Sequence, residues 1–278
     1  KQSHPKGLWV LFGTEMWERF NFYGMRAILT LFMVNSLLIK EADAAIIYGG
    51  FLALCYLTPL LGGFISDKYI GNRYSIMLGG TLMAIGQFLL FISASTFDSS
   101  LGSAKLFMWI ALFIIIFGNG FFKPNISSMV GSLYPKQEKN KLDSAFTIFY
   151  MGINIGAFLG QFICPWVGDV KDAETGVRDI FAFKWGFLAA GIGMLIGLVA
   201  FILGQKKYLI SEEGKEIGLV VKKLDAKSIA MIIGSIGIIF FMLNFKQMFK
   251  SDVDIISYFI YGAMVAMPVL IFSDKSLT

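Results

Sequence analysis

Four ionisable side chains interrupt the first long apolar stretch of the chain. Glu15, Glu18, Arg19 and Arg26 share one face if this stretch is a helix with about 100° between residues. A charged side chain near the centre of a bilayer costs about 2.5–3.5 kcal/mol on insertion scales, so each of the four is by default a functional candidate. Glu15 and Arg19 are spaced for an ion pair along the helix. A proton switch in the apolar stretches must use carboxylates, because the single histidine, His4, stands in the polar N-terminal tail.

Lys123 adds a fifth charge, in another long apolar stretch. It precedes Pro124, which removes a backbone hydrogen bond and bends a helix. Its ammonium group either snorkels to the membrane surface or faces an internal cavity, and the neighbouring proline and asparagines favour the cavity. With two acids against three bases, such a cavity favours an anionic group, and the planar guanidinium of an arginine suits a carboxylate.

Two other stretches offer polar side chains whose role stays open. A helix over 144–167 carries polar residues on one face, which predict either ordinary bonds between helices or the wall of an aqueous cavity: Thr147, Tyr150, Asn154 and Gln161. On its other side glycine recurs at every fourth position, which predicts close helix packing: Gly152, Gly156 and Gly160. Tyr56, in the stretch 44–66, either packs in the core or contacts a ligand.

A short polar turn after the second apolar stretch contains Asp67 and Arg73. One interpretation is a solvated turn whose charges only set the orientation in the membrane. The other is a conformational latch, in which Asp67 at one helix end pairs with Arg73 while Gly63 and Gly71 allow close approach of the helices.

The composition indicates the class of protein in which these residues work. Hydrophobic residues make up 56% of the chain and charged residues 15%, against about 25% in soluble domains, so an all-α polytopic membrane protein is predicted. Eight stretches are long enough to span a bilayer: 8–39, 44–66, 74–97, 105–131, 144–167, 185–205, 228–249 and 255–272. The loops on the N-terminal side carry about twice as many Lys and Arg as the others, which predicts a cytoplasmic N-terminus. The net charge of +5 is explained by topology, and no nucleic-acid partner is expected.

The sequence contains no pattern that is typical of an enzyme active site or a metal site. Cys55 and Cys164 lie in separate apolar stretches and predict neither a disulfide framework nor a metal site. The spans offer no Ser/His pair, paired aspartates or metal-ligand spacing. We therefore expect no enzyme, no metal and no cofactor.

Spans 1 and 4 share a pattern that is typical of transporters. Each opens a group of three spans, and each has a cation near a residue that weakens a helix, Gly24 in one and Pro124 in the other. Transporters with internal repeats bind their ligands near the membrane midplane, where interrupted helices meet. The pattern predicts interrupted helices and a site between them.

Three signatures make this prediction specific: Glu15-x-x-Glu18-Arg19-Phe20-x-Phe22-Tyr23-Gly24, Lys123-Pro124-Asn125 and Phe149-Tyr150-x-x-Ile153-Asn154-x-Gly156. They resemble the signatures of the proton-dependent oligopeptide transporter family (POT or PTR) of the major facilitator superfamily. The turn from Asp67 to Arg73 is similar to the superfamily's loop between helices 2 and 3. Phe22 departs from the pattern, since family members often have tyrosine there. The resemblance covers helices 1 to 5 in order, and the last two spans are similar in placement to the extra helices of bacterial members.

The resemblance implies a six-helix N-terminal bundle over 1–205, a cytoplasmic linker over 206–227 and two additional transmembrane helices over 228–278. It implies a bacterial inner membrane as the location. A C-terminal six-helix bundle is expected as the partner half and is absent from this sequence. The residue roles that it implies are proton coupling by Glu15, Glu18 and Arg19, and peptide contacts by Tyr23, Arg26, Tyr56, Lys123 and Asn154.

The function that the resemblance implies is a proton-coupled symporter that imports di- and tripeptides by alternating access. Arg26 and Lys123 would hold the peptide carboxylate. A related proton-coupled carrier of nitrate or another small organic anion is the alternative, because it would use the same cationic cavity without a site for the peptide amine. A purely structural or receptor-like membrane protein gives no account of the five charges.

Overall fold

The computed structural model describes residues 4–135, 138–211 and 214–219, and the single positions 230, 234 and 237. Its described ranges contain six long helices: α1 Lys6–Asn35, α2 Glu41–Ile65, α3 Gly71–Thr96, α4 Leu101–Ser132, α5 Lys139–Gly168 and α6 Phe183–Tyr208. A helix lies at each of the first six predicted spans. Each begins a few residues earlier than predicted because it continues into its polar flank, and α1 ends at Asn35 rather than at 39. Apart from single positions, the predicted spans 228–249 and 255–272 lie outside the described ranges, as do residues 220–227 of the predicted linker. The division into bundle, linker and extra helices stays a prediction.

Four helical stretches of the described residues are long and apolar enough to cross a membrane: Glu41–Thr96, Leu101–Ser132, Asn140–Gly168 and Phe183–Tyr208. The first of them contains both α2 and α3. Helix α1 is not among them, because its charges between Glu15 and Arg26 interrupt its apolar residues. Those charges need protein rather than lipid around them.

The six helices pack unevenly, which decides where the charges of α1 can lie. Helix α1 packs chiefly on α5 and α6, α3 packs on α4 and α6, and α2 packs on α4. The direct packing of α1 against α2 and α4 is slight by comparison. The contacts of α1 with α2 and α4 are therefore made largely by long polar and aromatic side chains.

Close helix contacts are made at glycines. Gly156 of α5 lies against the backbone carbonyl of Met16 in α1, so that a side chain there would overlap the facing helix. The whole predicted ridge contacts α1 and is confirmed: Gly152, Gly156 and Gly160. At the crossing of α2 and α4, Gly62 lies directly against the backbone of Gly120. The backbones approach so closely because neither position carries a side chain.

The prediction of interrupted helices is wrong for both spans concerned. Helix α1 runs through Gly24, which packs against the side chain of Cys164 in α5. A single glycine lowers helix stability by only about 1 kcal/mol, and here it permits a close contact with α5. Helix α4 runs through Pro124, and Asn125 Nδ2 donates to the carbonyl of Phe121 at 2.6 Å. That bond goes to the carbonyl next to Gly120, whose own carbonyl is the one that Pro124 leaves without a helical donor.

The turn between α2 and α3 is a π-helical segment, Ser66–Ile70. Gly71 follows with a φ of 77°, a left-handed conformation that glycine adopts without strain, and α3 starts there. Asp67 is exposed, and no ion pair joins it to Arg73 in the described part of the chain. The predicted latch pair is thus not formed in this conformation, because Arg73 has other partners. Its role in another conformation stays a prediction.

The partners of Arg73 belong to a short reversal after α6, residues 209–211 and 214–219, which we call the α6 turn. Buried Arg73 donates from Nε to the carbonyl of Ile217 at 2.7 Å and from Nη2 to the carbonyl of Leu209, and its backbone N–H donates to Gly218 at 3.1 Å. Its Nη1 also lies 3.6 Å from a carboxylate oxygen of Glu216. The start of the predicted linker is therefore folded against α3.

Replacing Arg73 with alanine is expected to release the α6 turn. Each hydrogen bond from a charged donor contributes about 1.5–3 kcal/mol, and two such bonds with the ion pair would be lost. We expect amide hydrogen exchange across residues 209–218 to accelerate by roughly 100-fold or more, since about 1.4 kcal/mol corresponds to tenfold. Mass spectrometry of exchanged peptides measures this directly. Lys206→Ala, at the exposed end of α6, is the matched control. Unchanged exchange in the Arg73 variant would show that other contacts hold the turn.

Candidate functional site

Glu15, Glu18 and Arg19 form a buried triad on one face of α1. Arg19 Nε lies 3.3 Å from Glu15 Oε1 and also contacts Glu18 Oε2. None of the three side chains is more than 5% exposed. The ion pair that the spacing of Glu15 and Arg19 predicts is confirmed, and Glu18 joins it although it is adjacent to Arg19 in sequence.

The hydrogen-bonding capacity of the triad is only partly used. Three of its buried polar atoms have no hydrogen-bond partner among the described residues: Glu15 Oε2, Glu18 Oε1 and Arg19 Nη2. A buried polar atom without a partner costs about 1–3 kcal/mol, and more if it is charged. Binding a proton removes the charge of a carboxylate and much of that cost. The arrangement is therefore suited to exchange a proton.

Arg26 lies further along the same face of α1, about 10 Å from Arg19 at 1.5 Å per residue. Three aromatic rings surround its guanidinium carbon, with ring centres at 5.6 Å for Phe22, 5.2 Å for Tyr23 and 5.8 Å for Tyr48. A cation is attracted to ring faces at such distances. Its Nε also donates to the hydroxyl of Tyr48 at 3.0 Å. The structure thus brings together the predicted residues Tyr23 and Arg26, and Phe22 contributes a ring without a hydroxyl.

Lys123 reaches from α4 to α2 and toward the triad. Its Nζ lies 4.9 Å from the centre of the Tyr56 ring. It also interacts electrostatically with Glu15, Glu18 and Arg19. Lys123 is half-buried in the bundle, which favours the cavity interpretation over simple exposure at the surface. Tyr56 is 63% exposed, so it is a cation-contacting residue rather than a core residue.

Asn154 does not join this group in the described conformation. It is exposed on α5, and no hydrogen bond links it to another predicted site residue in the ranges that the structure describes. Tyr150 of the same polar face is also exposed, since the glycine side of α5 is the one that packs on α1. Asp67 and Arg73 stand at the end of the bundle, apart from the triad.

Two residues of this region were missed by the sequence reasoning. Tyr48 binds Arg26, and it precedes Tyr56 by eight residues, which places the two within about 80° of each other around α2. That shared face is the signal that could have found it. Cys55 precedes Tyr56 on α2 and is buried in the bundle. Nothing in the sequence distinguishes it from an ordinary core cysteine.

Comparison with known sequences identifies relatives over most of the chain. A sequence model described as the POT family matches residues 73–259. The di-/tripeptide transporter of Lactococcus lactis subsp. lactis (strain IL1403) is 38% identical over 221 residues, which is 77% of this chain and 40% of that protein. The uncharacterized transporter YclF of Bacillus subtilis (strain 168) is 34% identical over 279 residues, which is 97% of this chain and 51% of that protein. The chain therefore spans about half the length of these relatives or less.

Solved structures agree with this relationship. A POT family transporter in complex with a thioalcohol-conjugated peptide matches with a TM-score of 0.77 and 34% identity, over 99% of this chain and 54% of that one. A POT family transporter in complex with 5-aminolevulinic acid matches with a TM-score of 0.76 and 34% identity, over 99% and 54% of the two chains. The described helices thus form the fold of a multi-pass membrane transporter of the major facilitator type, as the sequence predicts. With a family match over well more than half of its residues, this chain belongs to the POT family.

Proposed function

We propose that this chain forms the N-terminal half of a proton-coupled symporter that imports di- and tripeptides by alternating access. The observation that carries the proposal is the placement of the buried ion-paired triad and of two cations against aromatic rings, Arg26 and Lys123, among α1, α2 and α4. The names of relatives such as the Lactococcus lactis di-/tripeptide transporter support peptides as the substrate class. No relative reported above favours the nitrate alternative.

Proton coupling is proposed to reside in Glu15, Glu18 and Arg19. With both carboxylates ionised, Arg19 is held by two acids on its own helix. Protonation of one acid releases part of that attraction in a region of low dielectric constant, where charge interactions are strong. Arg19 is then available to the anionic substrate or to a rearranged helix contact. A local charge change of this kind can bias a two-state packing equilibrium.

Substrate binding is proposed to start from the peptide carboxylate. Arg26 offers a planar fork of donors and Lys123 a compact charge, and each cation lies against at least one aromatic ring. Tyr23, Tyr56 and Asn154 are the proposed further contacts. A second six-helix half is the proposed partner that closes the cavity, because alternating access needs two halves that rock about the site. The proposed location is a bacterial inner membrane, with the N-terminus in the cytoplasm.

The proposal is tested by uptake into proteoliposomes that contain the full-length gene product. Labelled dialanine should accumulate above its external concentration when an inward proton gradient is imposed, and accumulation should collapse when a protonophore is added. Labelled nitrate in the same vesicles should not accumulate. Uptake of nitrate without uptake of dialanine would contradict the peptide assignment.

Replacing Arg26 with alanine is expected to weaken binding of peptides that carry a free carboxylate. Loss of hydrogen bonds from a charged donor costs about 1.5–3 kcal/mol, which corresponds to about 10- to 100-fold in affinity. Inhibition of uptake by dialanine and by dialanine amide measures the effect, and only the free acid should lose affinity. Arg26→Lys keeps the charge but not the fork, so its loss should be smaller. An unchanged affinity for dialanine would remove Arg26 from the carboxylate site.

A further inference from the structure

The hydrogen bond between Arg26 and Tyr48 has a special position in the bundle. It is the one side-chain hydrogen bond that joins α1 to α2 among the described residues. The two helices otherwise pack little against each other. This bond and the aromatic rings around Arg26 therefore help to hold α1 and α2 together at this depth in the bundle. Tyr48 is half-buried on α2 and lies outside all three sequence signatures.

The bond to Tyr48 determines which N–H groups of the Arg26 guanidinium are available to bind a carboxylate. An arginine can bind a carboxylate from the side, through Nε and one Nη, or end-on, through both Nη groups. Tyr48 occupies Nε at 3.0 Å, and no other hydrogen bond of Arg26 is made within the described residues. The two Nη groups are therefore the donors left for a ligand. Only the end-on approach lets a carboxylate bind both Nη groups while Nε stays bonded to Tyr48.

The rings around Arg26 reinforce this orientation. Phe22 and Tyr23 come from α1 and Tyr48 from α2, with ring centres between 5.2 and 5.8 Å from the guanidinium carbon. The side chain is held from both helices at once. Because the Tyr48 oxygen accepts from Nε, its own proton remains free to be donated to a neighbouring acceptor.

Lys123 is seated in a comparable way by the other tyrosine of this face. Its Nζ lies over Tyr56, which follows Tyr48 by eight residues, about 12 Å along α2 at 1.5 Å per residue. Helix α2 thus supplies one tyrosine to each of the two cations. The hydroxyl bond distinguishes Tyr48, since Tyr56 contacts Lys123 through its ring.

We propose that Tyr48 is a positioning residue, which holds Arg26 so that its two Nη groups receive the terminal carboxylate of a peptide end-on. The inference rests on the proposed function. Loss of the Tyr48 hydroxyl leaves the charge of Arg26 in place, but the guanidinium group is then free to turn between the aromatic rings. Binding of the carboxylate should then weaken, while contacts elsewhere on the peptide stay as they are.

The test is Tyr48→Phe in the full-length gene product, with inhibition of dialanine uptake by dialanine and by dialanine amide as the readout. We expect the preference for the free acid over the amide to fall by about 2- to 10-fold, the range for one hydrogen bond. In an Arg26→Ala background the same change should have no effect on that preference. Tyr48→Leu, which also removes the ring, should lower the preference further. Tyr74→Phe, at an exposed tyrosine of α3, is the matched control.

The possible outcomes separate this inference from the proposed function. If the native protein prefers the free acid and Tyr48→Phe keeps the full preference, Tyr48 does not position Arg26. If the variant loses affinity for acid and amide equally, its role is general packing and the inference is overturned. If the native protein itself does not distinguish acid from amide, carboxylate capture by Arg26 fails and the inference fails with it. A reduced preference that vanishes in the Arg26→Ala background supports the inference.

Discussion

Replacing Glu18 with glutamine is expected to abolish proton-driven accumulation of peptide and to leave peptide exchange measurable. Glutamine has nearly the shape of glutamate but cannot be charged, so this position would behave as if permanently protonated. Glu18 is fully buried and contacts Arg19, and one of its oxygens has no other partner among the described residues. A change there acts on the charge of the triad without opening a cavity.

Two assays in proteoliposomes separate coupling from movement of the substrate. Uptake under an inward proton gradient should fall from concentrative to the equilibrium level. Counterflow of labelled dialanine against unlabelled dialanine needs no net proton movement and should continue. Glu41→Gln, in the exposed first turn of α2, is the matched control and should accumulate peptide normally. Accumulation that survives Glu18→Gln would show that Glu18 is not required for coupling.

Replacing Gly62 with alanine is expected to destabilise the bundle strongly. The new methyl group would overlap the backbone of Gly120, and a backbone cannot turn away as a flexible side chain can. Overpacking of this kind typically costs about 1–3 kcal/mol, and sometimes more. At about 2–4 °C per kcal/mol for a chain of this size, the midpoint of thermal unfolding should fall by roughly 2–12 °C.

Gly13→Ala is a matched control for this substitution. Gly13 lies in α1 with open space where a side chain would extend, so the same methyl group meets no neighbour. Alanine favours helix over glycine by about 1 kcal/mol, so the control should be neutral or more stable. Helices α2 and α4 also carry Tyr56 and Lys123, and their separation should weaken substrate binding as well. Equal unfolding midpoints for the two variants would show that α2 and α4 can shift apart without cost.

Local features of the site could be predicted from the sequence. Glu15 and Arg19 pair because residues four apart on a helix are neighbours whatever surrounds the helix. The glycine ridge of α5 was predicted for the same reason, since a repeat of four residues defines a face. The long apolar stretches predicted eight helices, and the first six are found in the described residues, because backbone polar groups in a bilayer must bond within the segment.

Non-local partners could not be predicted in this way. One interpretation of the turn paired Arg73 with Asp67, yet Arg73 binds the carbonyls of the α6 turn, which lies far away in the sequence. Several acceptors of similar strength compete for one guanidinium, and the packed fold decides which of them is within reach. Gly24 shows the same limit, because whether a glycine breaks a helix or permits a close contact depends on the helix beside it.

The amino-acid sequence determined the chemistry of this protein and the helices on which it lies, since residue type and spacing along one helix are local properties. It also carried the family's signatures in order. The tertiary structure decided that Tyr48 holds Arg26 and that Lys123 lies over Tyr56. These contacts depend on how α1, α2 and α4 cross. The crossing is set by glycine contacts such as Gly62 with Gly120, where two backbones meet from distant parts of the chain.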